Sequence, residues 1–147
     1  MFYVYTFLAF IGGVIILSIP AMIIGDRKLK RKIEEVFGGR QSLDERDFYE
    51  KHFAAKGVPF FIVKKIREIL EEVLDADLSR LSAEDDFSRN LSFFWEEDSL
   101  ADVEILEKIE EEFEIKISDE EAASLRTVDE IVDSVWRKVR GKDEFQN

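Results

Sequence analysis

Cysteine is absent from this chain, which removes disulfides, thiolate metal sites and cysteine nucleophiles together; any thiol chemistry needs a thiol brought in from outside. Histidine is reduced to His52, read as a surface side chain, so a hydroxyl nucleophile has no obvious base to activate it. The acidic clusters Asp85-Asp86, Glu96-Glu97-Asp98 and Glu110 to Glu112 lack partner groups that would organise them into an acid and base pair. They read as solvated faces, and no catalytic residue is expected. Strand signals as strong as the helical ones are also missing, so the fold class is all-α.

Charge is missing from Phe2 to Ile24, a stretch rich in Ile, Leu, Val and Phe. That length crosses a hydrocarbon layer of roughly 30 Å as a helix. The start Met1-Phe2-Tyr3 and the exit Met22-Ile23-Ile24-Gly25 do not suit a cleaved signal peptide, so a single transmembrane anchor over residues 1–25 is expected, kinked near Pro20. Arg27, Lys28, Lys30, Arg31 and Lys32 crowd its carboxy-terminal flank and predict that the rest of the chain faces the cytoplasm. Those five take their share of the 21 cations, and Asp26 takes one of the 33 anions, so residues 33–147 keep 16 against 32, a formal charge of about −16. Such a field repels nucleic acid and favours basic protein surfaces as partners.

Residues 26–58 read as a basic collar, a linker at Gly38-Gly39 and a juxtamembrane helix opened by a Ser42–Glu45 capping box and stopped at Gly57 and Pro59. From Pro59, Val63, Ile66, Ile69, Leu70, Val73 and Leu74 recur at helical spacing. Asp75 to Asn90 reads as a polar loop pinned by Leu78, Leu81, Phe87 and Leu91. Asp75, Asp77, Ser79 and Asp86 fall on part of a calcium-loop spacing, but Arg80 stands where that loop needs glycine and no glutamate closes it, so no metal site is expected. A helix starting at Ser99 would bury Leu100, Val103, Leu106, Ile109 and Phe113. Boxes at Ser118–Glu121 and Thr127–Glu130 open a short helix and a last one carrying Val128, Ile131, Val132, Val135, Trp136 and Val139. The stripes close as a three-to-four helix bundle over residues 59–140, with 141–147 a flexible tail.

The richest stretch is Asp98-Ser99-Leu100, followed by Val103-Glu104, Glu110-Glu111-Glu112-Phe113, the string Ile117 to Ala122, and Thr127-Val128. With Val63 to Ile66 and Phe87 to Leu91 upstream, residues 60 to 140 resemble the acyl carrier protein family. The resemblance implies that Ser99, between Asp98 and Leu100, is modified by a phosphopantetheinyl transferase using coenzyme A. The resulting 4'-phosphopantetheine arm carries acyl groups as thioesters for acyl-loading and acyl-transferring enzymes. Asp102, Glu104, Glu110 and Glu111 are the implied partner-recognition carboxylates. The membrane anchor would hold the carrier near membrane-bound enzymes and raise its effective concentration there.

The pattern departs from the family's in three places: Glu96 stands where glycine is usual, the approach from Leu91 is about four residues longer and holds Phe93-Phe94-Trp95, and Ala101 replaces an acidic residue. The aromatic triplet fits core packing better than shelter for an acyl chain, contact with the arm or a dip into the membrane. Ser99 has a competing role as a helix N-cap, paired with Asp102 and worth roughly 1 kcal/mol. On that reading the chain is a membrane-tethered interaction module that keeps the carrier fold without the prosthetic group.

Overall fold

The structure, a computed structural model, describes residues 27–97 and 99–145 and divides into two units, Met1–Val36 and Phe37–Asn147. The membrane span expected over residues 2–24 lies outside the described residues; among those described, no helix is long and apolar enough to cross a membrane. The basic collar is helical: α1 covers residues 27–37, with Arg31 and Glu35 paired one turn apart at 3.5 Å.

The second unit begins at Phe37, well before residue 59. After the Gly38-Gly39 turn, with Gly39 at φ 76°, the chain enters α2, Glu45–His52. Its cap is Asp44, whose carboxylate accepts the Asp47 N–H at 2.8 Å; the expected Ser42–Glu45 box does not form. Asp44 directly precedes the helix and reaches its third N–H, while the Glu45 carboxylate takes the Lys64 ammonium at 2.8 Å. A 3-10 turn at Ala54–Lys56 ends on Gly57 in the left-handed region, φ 72°, the conformation glycine adopts without a Cβ clash, so the stop expected there is where the sequence put it.

The next helix, α3 (Phe60–Leu74), buries Ile62, Val63, Ile66, Ile69, Leu70 and Leu74, close to the predicted stripe. Arg67, on the same helix, is only 6% exposed. Its guanidinium donates to the carbonyl oxygens of Leu43 at 3.0 Å and Asp44 at 3.3 Å and lies over the Phe48 ring, which ties the segment before α2 to α3. Along residues 75–92, Leu78, Leu81, Phe87 and Leu91 are all buried, as expected. Asp77 accepts the Ser79 N–H and Asp86 the Ser88 N–H, each within a local turn.

Three further helices follow a short one: α4 (Phe93–Glu97), α5 (Ala101–Phe113), α6 (Asp119–Ala122) and α7 (Val128–Phe145). Helix α4 replaces the loop expected between Leu91 and Ser99. Helix α5 runs antiparallel to α3, with Lys108 meeting Glu72 at 3.0 Å and Phe113 beside Phe61. It buries Ala101, Ile105, Ile109 and Phe113: Ile109 and Phe113 as predicted, with Ala101 and Ile105 in the places expected for Leu100 and Val103 and Leu106 half-buried. Because α5 starts at Ala101 and sets this i, i+4 row inward, Leu100 and Val103 stay 69% and 49% exposed. Val128, Ile131, Val132 and Val135 of α7 complete the core, while Trp136 and Val139 are half-buried. Each fully buried aliphatic side chain contributes on the order of 1.5–3 kcal/mol of transfer free energy.

The two capping boxes differ. Thr127 and Glu130 form a reciprocal pair: Thr127 Oγ1 accepts the Glu130 N–H, and the Glu130 carboxylate accepts the N–H groups of Thr127 and Arg126. Ser118 accepts the Glu121 N–H, but the Glu121 carboxylate crosses to α7, where Ser134 donates at 2.6 Å and Lys138 pairs at 2.7 Å. Glu121 therefore clasps α6 to α7 rather than closing a box. Among the described residues there is no strand; one isolated bridge joins Asp86 to Thr127.

Candidate functional site

Ser99 lies in the turn directly before α5 and is exposed. Leu100 occupies the N-cap position, and no side chain caps this helix. The competing role of Ser99 as a cap paired with Asp102 is therefore not taken up. Asp102 instead accepts the N–H of its neighbour Val103 at 2.8 Å, because a start at Ala101 places its carboxylate beside that amide. Asp98 lies outside the described residues.

The one histidine, His52, is on α2 and packs between Phe48 and Phe53; it is half-buried rather than a surface side chain, and its Nε2 has no hydrogen-bond partner. Burial pushes its pKa down. His52 is thus packed among the α2 aromatics rather than paired with the Ser99 hydroxyl. The positive end of the α5 dipole lies beside Ser99 and favours negative charge there.

The four carboxylates expected to read partners fall into two groups. Asp102 and Glu104 are exposed on the first turn of α5, beside the exposed Leu100 and Val103, so a mixed acidic and apolar patch adjoins Ser99. Glu111 is exposed in the last turn, about 13 Å further along the axis at 1.5 Å per residue. Glu110 is half-buried: it accepts the Ile117 N–H at 2.7 Å and the Lys116 ammonium at 3.0 Å. Those bonds hold its carboxyl below the usual range and fix the turn from α5 toward α6.

A cavity of about 740 Å³ opens between α3, α5, α6 and α7. Leu70, Ile105, Ile109 and Ile131 form much of its wall, Phe87 and Trp95 another part, and Asp102, three residues after Ser99, also lines it. Phe93 and Phe94 are 5% and 3% exposed and pack as expected of core aromatics, whereas Trp95 is half-buried and stacks on Phe87 at 5.3 Å. Periodicity did not signal α4, which is too short to repeat; Ser92 before three aromatics and two glutamates was the available cue. Arg67 was also missed, since a charged residue on an apolar stripe reads as surface until its carbonyl partners are seen.

Residues 64–135 match the family model described as the phosphopantetheine attachment site. The chain is 36% identical over 78 residues to the acyl carrier protein of Thermosynechococcus vestitus, covering 53% of this chain and 91% of that protein. It is 38% identical over 77 residues to the acyl carrier protein of Buchnera aphidicola subsp. Schizaphis graminum, covering 52% and 92%. With that of Rubrobacter xylanophilus it shares 42% over 74 residues, covering 50% and 86%. No solved structure matches the chain. With an attachment-site domain on an all-helical fold and relatives matched over almost their whole length, the chain belongs to the acyl carrier protein family and is a non-catalytic carrier.

Proposed function

We propose that Ser99 is the residue that carries the 4'-phosphopantetheine arm and that acyl groups travel on its thiol as thioesters. The observation that carries this reading is an exposed serine at the amino end of α5 with no capping duty. A phosphopantetheinyl transferase supplies the catalysis: Ser99 Oγ bonds to the phosphorus bearing the pantetheine, adenosine bisphosphate leaves, and the hydroxyl proton passes to the transferase. Asp102, Glu104 and Glu111, with Leu100 and Val103, form the face that loading and transferring enzymes read, by charge steering around an apolar contact. The apolar cavity beside Asp102 supports an acyl cargo. Incubating the chain with a broad-specificity transferase, magnesium and octanoyl-coenzyme A tests the assignment by intact mass. The parent gains one octanoyl-phosphopantetheine and Ser99→Ala gains none; equal gain by both would move the site elsewhere.

The second part of the proposal is that residues 2–24 anchor the carrier in a membrane with residues 27–147 in the cytoplasm. It rests on the uncharged stretch from Phe2 to Ile24 and the five cations that follow within residues 27–32. Deleting residues 1–32 releases the carrier from membrane fractions and slows delivery to membrane-bound acyltransferases while leaving modification unchanged; equal partition and delivery by the truncated chain would refute the anchor.

A further inference from the structure

A second cavity, of about 560 Å³, opens between the segment leading into α2, α2 itself and the loop after α3; Arg40, Gln41, Lys51, His52, Arg80 and Ser82 all line it. Every one of these residues belongs to the second unit. Arg40, Gln41, Lys51 and His52 precede residue 64, where the match to the attachment-site model starts, so much of the cavity is built by chain outside the matched domain.

The sign of its charge sets this cavity apart. Residues 33–147 carry a formal charge of about −16, yet Arg40, Lys51 and Arg80 come together here. Two of the three are fastened to one fully buried residue, Phe37: the Arg40 guanidinium lies 5.1 Å over its ring, and Arg80 donates to its carbonyl oxygen at 3.4 Å. The counter-charge of Arg40 is Asp85, also in the lining. Its carboxylate is only 4% exposed and accepts both Arg40 bonds, the Ser82 N–H and the Asn90 amide. With Arg40 and Asp85 balancing each other, Lys51 and Arg80 outweigh the exposed Glu84, the remaining carboxylate of the lining.

An independent observation comes from His52. Its Nε2 is, among the described residues, the one buried side-chain nitrogen or oxygen with no hydrogen-bond partner. Buried nitrogens are ordinarily paired, and an oxyanion in the cavity would supply the acceptor that this one lacks. The polar groups come from three segments: Gln41 before α2, Lys51 and His52 on α2, and Arg80 and Ser82 from the loop. Donors on several sides suit the tetrahedral oxygens of phosphate better than a planar carboxylate.

We infer that this cavity binds a phosphate ester, with Lys51 and Arg80 supplying charge and Gln41, Ser82 and His52 supplying hydrogen bonds. A bare phosphate ion leaves much of the space unfilled, so the phosphate carries an organic group. That group belongs to a soluble metabolite or to a lipid headgroup at a membrane surface. The inference makes no use of Ser99 and goes beyond the carrier reading.

The test uses the full chain, untagged, in phosphatidylcholine nanodiscs at fixed pH, with 13C at histidine Cε1. His52 is the single histidine, so one NMR signal reports the cavity. Titration with sn-glycerol 3-phosphate should move that signal to saturation, while sodium chloride at equal ionic strength leaves it in place. Lys51→Ala, at an exposed position, should weaken binding about fivefold, and Glu84→Gln should tighten it about twofold. Discs that contain phosphatidic acid separate the two sources. A Lys51-dependent shift in those discs without added ester assigns the site to a headgroup, and a shift with the soluble ester alone assigns it to a metabolite; both uphold the site. A response that chloride matches, that does not saturate, or that keeps the parent affinity in both variants overturns it. Binding by Ser99→Ala should equal that of the parent, so the failure of either reading leaves the other standing.

Discussion

Arg40 and Asp85 meet as a bidentate pair, 2.7 and 3.0 Å apart, across 45 residues of sequence. Asp85 is 4% exposed and accepts in addition the Ser82 N–H and the Asn90 amide, so one carboxylate joins the segment before α2 to the loop that holds Phe87. Arg67 makes a second tie through Leu43 and Asp44. The segment from Phe37 to Val58 is therefore part of the carrier body, and its attachment has a measurable cost when broken. Asp85→Ala strands the Arg40 charge and two donors, and the expected loss is about 3 kcal/mol of unfolding free energy by denaturant titration. A loss below roughly 1 kcal/mol would mean that the pair is an ordinary surface contact.

Thr127 and Glu130 make the most complete cap in the described chain. Thr127→Ala should cost about 1 kcal/mol, and Thr127→Ser only a few tenths. The Glu130 carboxyl lies below its ordinary range because it accepts the N–H groups of Thr127 and Arg126. A depressed carboxylate stabilises the fold above the unfolded pKa, and that stability is lost as pH falls below about 4.5. Glu130→Gln should therefore flatten part of the acid limb of a melting-temperature profile; an unchanged limb would contradict this linkage.

His52 has the opposite habit. Burial between aromatic rings lowers its pKa from the ordinary 6.5; the neighbouring Lys51 lowers it further, and Glu84, Asp85 and Asp129 oppose the shift. The unfolded chain then binds this proton more readily than the folded one, so the contribution is fully present above 6.5 and declines as pH falls below it. His52→Phe keeps the ring packing and removes the unpartnered Nε2. The difference in melting temperature between variant and parent should widen in favour of the variant between about pH 7 and pH 5. A constant difference would show that His52 stays in one protonation state.

Leu100 and Val103 carry exposed apolar side chains. Leu100→Gln and Val103→Gln should each change stability by less than about 0.5 kcal/mol, while lowering the rate at which a transferase or acyl-transferring enzyme accepts the carrier. A stability loss above 1.5 kcal/mol would place them in the core and remove the recognition face.

Much of the helical frame was legible because α3 and α7 bury their residues at the spacing that the sequence displays. The cap at Thr127 was legible for the same local reason. The phase of α5 was not: an apolar Leu100 and Val103 satisfy a 3.6-residue period as well as Ala101 and Ile105 do, and only a tertiary neighbour, α3, chooses between them. Asp44 against Ser42 as the α2 cap turns on a two-residue difference in helix start. Glu121 could satisfy its own box or reach Ser134, and the packing of α7 decides. The cavity wall had no local signature, because Phe87 and Trp95 meet only after α4 forms.

The most direct test is a peptide map of the protein isolated from its own cells, read by mass spectrometry across the segment that contains Ser99. One phosphopantetheine on Ser99, absent from cells expressing Ser99→Ala, is the predicted result. An unmodified Ser99 in protein that is otherwise functional, with Ser99→Ala supporting the same growth, would contradict the account and leave a carrier-fold module that acts through contact alone.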